Sequence, residues 1–462
     1  MKNKLMPLAI MLLAAMLLLP AGVAAQADDL WSLYSLAISR DPAIGRATAQ
    51  FQMSRSDEDR ALSYLLPRAD ASAGVNWITN TTVNYDPSGD IHGGFTGYNY
   101  GAGARLPLLN MPGIFNLFAT KAASRSSEAA ISATRQDLIT RLCEAYFGIL
   151  KAKADERLYR DELKRLAQIQ EQAQAFLKAG VGDIIAVYEA KARMDSAAAD
   201  MVRAESQRRL AEQQLSGLVG REVTEVKDLG AIEPQGPVPS DLGWWLETMQ
   251  QHQPAIIQAR ESLLQTGEQR KAAKAGHLPT IQASGGYSVS KGSTFLPEVE
   301  TRQWYAGFSI SVPLYSGGET MARTRRAVAE ESEQRFILQD VQEQRVQKLK
   351  EAFLNLQYNT AIISSVRQKK ASAEVQLAGV KKGRSIGTRT AIDLLNSEQS
   401  YAISQRDLTS ALYDNALRQL QLKGAAGILG EEDLKSLNQA LVEVPVKEAG
   451  SESGANPKAT TP

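Results

Sequence analysis

"LPRADASAG" (Leu66–Gly74) returns in the second half of the chain as "LPTIQASGG" (Leu278–Gly286). From Arg68 onward the first copy alternates strictly: Ala69, Ala71, Ala73, Val75 and Trp77 on one side, Arg68, Asp70, Ser72, Gly74 and Asn76 on the other. A period of two with one apolar and one polar face is a strand. The same pattern runs through Tyr98–Leu106, Ile281–Val289 and Trp304–Val312. The spacing predicts strands over about 68–79, 98–107, 280–290 and 303–313. Each holds about ten residues, enough for a tilted strand to cross a bilayer. Trp77, Tyr98, Trp304 and Tyr305 fall near the ends, where aromatic girdles sit in membrane barrels.

The repeat is wider than this phrase. "DPAIGRA" (Asp41) answers "QPAIIQA" (Gln253) at the same spacing. "EAYFGIL" (Glu144) answers "EAFLNLQ" (Glu351), and "LSGLVG" (Leu215) answers "LKGAAG" (Leu422). These later echoes share one spacing, slightly shorter than the first. Two copies of one structural unit follow.

Between Pro112 and Pro234, and again between Pro313 and Pro445, there is no proline. Proline breaks helix interiors, and these gaps are filled by Ala, Gln, Glu, Lys, Arg and Leu, so long helices are permitted. Each gap carries one glycine-marked turn, "KAGVGD" around Gly180 and "SIGTRT" around Gly387. Each half therefore reads as a helical hairpin, with arms at about 115–178 and 183–218, then 318–382 and 390–425. The long arms reach roughly 95 Å and the short arms roughly 54 Å. Helices over 41–66 and 254–277 have the length to fill the remainder, stacked end to end with the returning short arms. Leu66-Pro67 and Leu278-Pro279 stand where a helix must stop and a strand begin.

Charge and cysteine usage narrow the function. Lys and Arg number 52 against 51 Asp and Glu, and this balance argues against nucleic acid as the partner. One cysteine, Cys143, excludes an internal disulfide, and its place in "RLCEAYF" reads as a small buried residue. His92, His252 and His277 show no ligand spacing, and no serine elbow or other catalytic motif is present, so no cofactor or metal is expected and an exported enzyme is disfavoured. The N-terminal stretch 1–27 has a secretory signal pattern: Lys2 and Lys4, an apolar run, then Ala25-Gln26-Ala27 before the expected cleavage. Nowhere later is the chain apolar for long enough to make a spanning helix. Four strands cannot close a membrane barrel, and open edges are not tolerated in lipid, so several chains must share one.

Motifs in both repeats carry a family resemblance. "GHLPT" (Gly276), "VPLYSGG" (Val312) and "SIGTRTAIDLLNSEQSYA" (Ser385) are similar to TolC-family outer membrane channels, over roughly Asp29 to Asp433. The resemblance implies a mainly α fold with membrane β: a homotrimer whose twelve-stranded outer-membrane barrel takes four strands from each protomer and continues as a long periplasmic α-helical barrel. The expected organisation is a signal peptide at 1–27, repeat 1 over 28–228, repeat 2 over 229–430, and a C-terminal segment over 431–462 whose polar tail from Lys447 reads as disordered. The implied function is the exit duct of multidrug efflux or type I protein secretion. The implied partners are outer membrane lipid, a periplasmic adaptor (a membrane fusion protein) and an inner-membrane transporter of RND or ABC type. A periplasmic adaptor, or another helical-hairpin protein of an export complex, is the alternative reading, though it leaves the four strands without a purpose.

The resemblance also places site residues. Asp393 and Asn396 match two acidic positions that ring the periplasmic entrance, the second being asparagine here. Arg389, with Thr388 beside it, matches the latch that holds the entrance shut. Arg384 stands where a tyrosine commonly joins that latch. Gly180 and Gly387 are expected to turn the chain at the hairpin tips. The basic cluster of Lys369, Lys370, Lys381, Lys382 and Arg384 reads as a solvated face, with adaptor docking through Lys381, Lys382 and Arg384 as the sharper expectation.

Overall fold

The computed structural model describes residues 28–78, 95–230, 233–292 and 299–442. The expected signal peptide, residue 79 of the first expected strand, most of both strand-connecting loops and the polar tail lie outside the described residues.

In chain order the elements are α1 (Leu30–Arg40), α2 (Pro42–Ser63), β1 (Arg68–Ile78), β2 (Phe95–Leu109), α3 (Met111–Lys178), α4 (Ile184–Val219), β3 (Asp228–Leu229), α5 (Leu242–His252), α6 (Pro254–Ala275), β4 (Thr280–Lys291), β5 (Glu300–Ser311), α7 (Glu319–Ser385), α8 (Ala391–Ala426), α9 (Glu431–Gln439) and β6 (Leu441–Val442). The two phrases that open the sequence mark the α2–β1 and α6–β4 junctions. Pro42 and Pro254 sit at the starts of α2 and α6, where the missing N–H has no intrahelical partner to lose. Asp41 completes the first of these caps by accepting from the N–H groups of Ala43 and Ile44.

β1, β2, β4 and β5 form one antiparallel sheet in that order. Its register aligns Ala71, Ala102, Tyr287 and Trp304 in one cross-strand row, and Ser72, Gly101, Ser288 and Gln303 in the next. The apolar sets of all four strands thus share a face. That face is bare in the single chain: Trp77 and Trp304 are 77% and 81% exposed. Tyr305 departs from the girdle expectation. It belongs to the polar rows, opposite Gly286, and its hydroxyl leans over Gly103 and Gly286. A girdle residue must face lipid, and a register of period two sends Tyr305 the other way.

The end-to-end stacking is present in both halves. Arg40, at the end of α1, donates to the Gly220 carbonyl just beyond α4 at 2.8 Å, which sets the start of α2 against the end of α4. Gln253, at the start of α6, donates through Nε2 to the carbonyls of Gly424 and Ala425 at the end of α8, at 3.1 and 2.9 Å.

The largest core surrounds this level of the molecule. It joins Leu30, Leu33, Tyr34 and Ala37 of α1 to Leu142, Tyr146 and Phe147 of α3, Leu215 of α4 and Tyr413 of α8. A second core packs Trp245 and Met249 of α5 on Leu349, Phe353 and Leu356 of α7 and Leu422 of α8. Leu142, Tyr146 and Leu215 correspond to Leu349, Phe353 and Leu422 at the spacing of the later echoes, so the two repeats bury the same positions. Cys143 lies fully inside the first core, and burial pushes its thiol up to about 12. α1, α5, α9 and the β3–β6 pair were not legible in the periodicity. They are short, and their apolar residues are explained only by the cores they cover.

Candidate functional site

The far ends of the two hairpins are built alike. Gly180 and Gly387 hold φ of +73° and +78°. At the first tip the N–H of Gly180 bonds to the Leu177 carbonyl at 3.0 Å, and the N–H of Val181 to that of Phe176 at 3.1 Å. At the second, Gly387 bonds to Arg384 at 3.1 Å and Thr388 to Gly383 at 2.9 Å. Both are helix ends closed by a left-handed residue, a conformation that a Cβ disfavours. Thr388 also donates its hydroxyl to the Gly383 carbonyl at 3.0 Å, so its side chain belongs to the turn.

The caps of the return helices stand three positions beyond each glycine. Asp183 caps α4 by accepting from the Ile185 N–H at 2.9 Å. Thr390 caps α8, and here the cap is reciprocal: Thr390 Oγ1 accepts from the Asp393 N–H, while Asp393 Oδ2 accepts from both the N–H and the hydroxyl of Thr390 at 2.9 Å. The backbone hydrogen bond from Thr390, then its hydroxyl, hold the Asp393 carboxyl below the usual carboxylate range, with Arg389 adding a smaller pull. Asp393 is thus kept ionised at the mouth of the hairpin.

Asn396 does not share that setting. Its Oδ1 accepts from Arg193 of α4 at 2.9 Å, and Arg193 also pairs with Glu189 at 2.9 Å. Arg384 donates to Gln172 of α3 at 3.0 Å. Both bonds join the first hairpin to the second. Lys381 lies 3.6 Å from Glu398 and Lys369 lies 2.9 Å from Asp407, each pairing α7 with α8. Of the basic residues near this tip, Lys382 and Arg389 are exposed and make no ion pair within the chain among the described residues. Arg389 folds its stem against Gly383.

Above the tips, the seam between α3 and α8 is mostly polar. Gln399 donates to Glu162 at 2.8 Å, Arg406 lies 3.6 Å from Asp155, and Lys151 pairs with Asp414. Burial raises the carboxyls of Glu162 and Asp155 above their ordinary values. Among the described residues only Leu166, Ala197 and Leu395, with their neighbours, make an apolar cluster here. The polar partners lie in opposite halves of the chain, and no motif or spacing announced them. Among the described residues no group of three His, Cys, Asp or Glu is placed to hold a metal, and no helix is long and apolar enough to cross a membrane.

A bilayer-length sheet with one apolar face, joined to two long helical hairpins that turn at matching tips, defines an outer membrane channel with a periplasmic helical tunnel. The outer membrane efflux protein family matches residues 33–221 and 245–428, one block in each repeat, and the chain belongs to that family. It is similar to the outer membrane protein TolC of Vibrio cholerae, at 26% identity over 90% of this chain and 94% of that one. The alkaline protease secretion protein AprF of Pseudomonas aeruginosa is 26% identical over 87% of this chain and 85% of that protein. The fold matches the Campylobacter jejuni CmeC outer membrane channel with a TM-score of 0.76, at 16% identity, covering 89% of this chain and 90% of that one. Family membership decides against the adaptor reading.

Proposed function

We propose that three copies of this chain close a twelve-stranded barrel and that their hairpins form the tunnel below it, giving the exit duct of a tripartite export system. One observation carries the reading: β1 and β5 leave two bilayer-length strand edges unpaired on a sheet of four. Lipid offers no hydrogen-bond partner for such edges, and the smallest membrane barrels have about eight strands. A neighbouring copy supplies the missing partner on each side.

In this assembly Asp393 contributes one carboxylate per chain to a ring at the entrance. Asn396, held by Arg193, contributes none, and cation preference comes from three charges. Arg389 and Thr388 sit at the mouth, where Arg389 reaches a neighbouring copy and holds the resting duct shut. Lys382 offers the free charge for a periplasmic adaptor, while Lys381 and Arg384 act through their partners inside the chain. An inner-membrane transporter, RND or ABC, completes the path. Relatedness to a protease secretion protein supports protein cargo.

The test is the mass of the detergent-extracted particle together with its conductance in planar bilayers. A trimer that conducts cations in preference to anions is expected. A water-soluble monomer without pore activity overturns the reading.

A further inference from the structure

At the tips a cleft of about 250 Å³ opens between the two hairpins. Its wall takes Ile169, Ala173 and Phe176 from α3, Ala190 from α4, and Ile392 and Leu395 from α8. We propose that this cleft binds a small uncharged aromatic molecule, about two fused rings in size, which bridges the hairpins.

Continuity with the apolar part of the seam is the first reason. Leu395 packs with Leu166 and Ala197 in the cluster above the tips, and Ile169 and Met194 pack against that cluster. Ala173 stands one turn of α3 beyond Ile169, and Ala190 one turn of α4 before Met194. Two methyl groups thus leave open the space that longer side chains fill one turn above. Phe176, 57% exposed, offers an uncovered ring at the same place. An aromatic ligand continues the cluster and takes Phe176 as its stacking partner.

The polar groups of the wall are the second reason. Gln172 accepts from Arg384, Asp183 caps α4, and Thr390 exchanges hydrogen bonds with Asp393. Glu189 pairs with Arg193, which also donates to Asn396. Each of these side chains already has a partner in the chain, so an apolar occupant strips none of them of a hydrogen bond. Asp183 and Glu189 outnumber Arg193 and oppose an anion. A cation gains little from Asp183, which is exposed to water.

Size is the third reason. An apolar cavity of about 150 Å³ holds benzene, so this cleft has room for a second ring. A helix, about 10 Å across with its side chains, does not fit. The ligand touches α3, α4 and α8 together, and it therefore favours the arrangement in which the hairpins meet over any in which they part. In the proposed duct this opposes opening of the entrance. That consequence rests on the assembly, whereas binding needs the two hairpins of one chain.

The experiment reads protection of the cleft in the purified full chain in detergent, with 1-naphthalenemethanol as the probe. Ala173→Cys places a thiol in the wall, and Cys143 is fully buried and stays silent. Ser206→Cys, exposed on α4 away from the cleft, reports any general effect of the probe on labelling. The maleimide labelling rate at Ala173→Cys should fall saturably with probe concentration, by about fivefold at saturation, because a bound ligand shields the wall. The rate at Ser206→Cys should not change. Ala190→Leu fills the cleft and should abolish the protection. Phe176→Ala alters an exposed position, so the fold is retained, and it should raise the half-protecting concentration about fivefold. The anion 1-naphthoate should protect about tenfold more weakly than the alcohol. An undiminished Ala173→Cys rate overturns the proposal, as does equal protection at Ser206→Cys. So does full protection in the Phe176→Ala chain, or naphthoate acting as well as the alcohol.

Discussion

Arg193 Nη1 donates to Asn396 Oδ1 at 2.9 Å, tying the return helix of the first hairpin to that of the second near the tips. The two residues come from opposite halves of the chain, yet this contact decides what Asn396 does. Breaking it should loosen the seam where few apolar contacts replace it. Arg193→Ala should cost roughly 0.5–1.5 kcal/mol, the range for one hydrogen bond, and raise the frequency of open events in single-channel records. Asn396→Asp should strengthen the contact by making it an ion pair and lower that frequency. Identical gating in both variants would show that the bond plays no part at the entrance.

Asp393 serves the helix cap and, in the proposed duct, the entrance charge as well, and two substitutions separate these roles. Asp393→Asn retains an acceptor for Thr390 but removes the charge, so cation preference in reversal-potential measurements should fall while the tip stays folded. Asp393→Ala should also speed amide exchange over residues 390–396.

The pH dependence follows from the same hydrogen bonds. The folded-state value of Asp393 is lowered, so its stabilising contribution is present above the ordinary aspartate value near 3.9 and is lost as pH falls through the lowered one. Cation preference at pH 4 should match that at pH 7. A loss of preference between pH 6 and 4 would assign the selectivity to another group.

Valine at both Gly180 and Gly387 should strain the tips by about 1–2 kcal/mol each, because a side chain is disfavoured at positive φ. No atom stands within 4 Å of either added Cβ, so the effect is purely conformational. Export should fall while barrel insertion is unchanged. Normal export by the double variant would remove the tips from the docking path.

In the sheet, Gly286→Val should block assembly. Its Cβ would lie 2.7 Å from the Ala102 carbonyl oxygen and 2.9 Å from the Tyr305 hydroxyl. The backbone contact cannot yield without breaking the β2–β4 ladder. Heat-resistant oligomers in the outer membrane fraction should disappear, whereas Gly307→Ala, which meets open space, should leave them intact.

Local order was written in the sequence. The alternation from Arg68, the proline-free gaps and the paired glycines placed four strands, four hairpin arms and two tips, because these depend on periodicity and on backbone freedom at single residues. The repeat added the end-to-end stacking, since equal counts in both halves permit one arrangement. Which side chains meet depends on how the hairpins pack. Asn396 is held by Arg193, Arg384 by Gln172, and Asp393 by its own cap residue. Periodicity and residue counts were enough for the rods, the strands and the need for several chains. The partners across the seam were decided by how the two hairpins pack, because polar contacts between helices so far apart in the chain leave no period for a sequence to display.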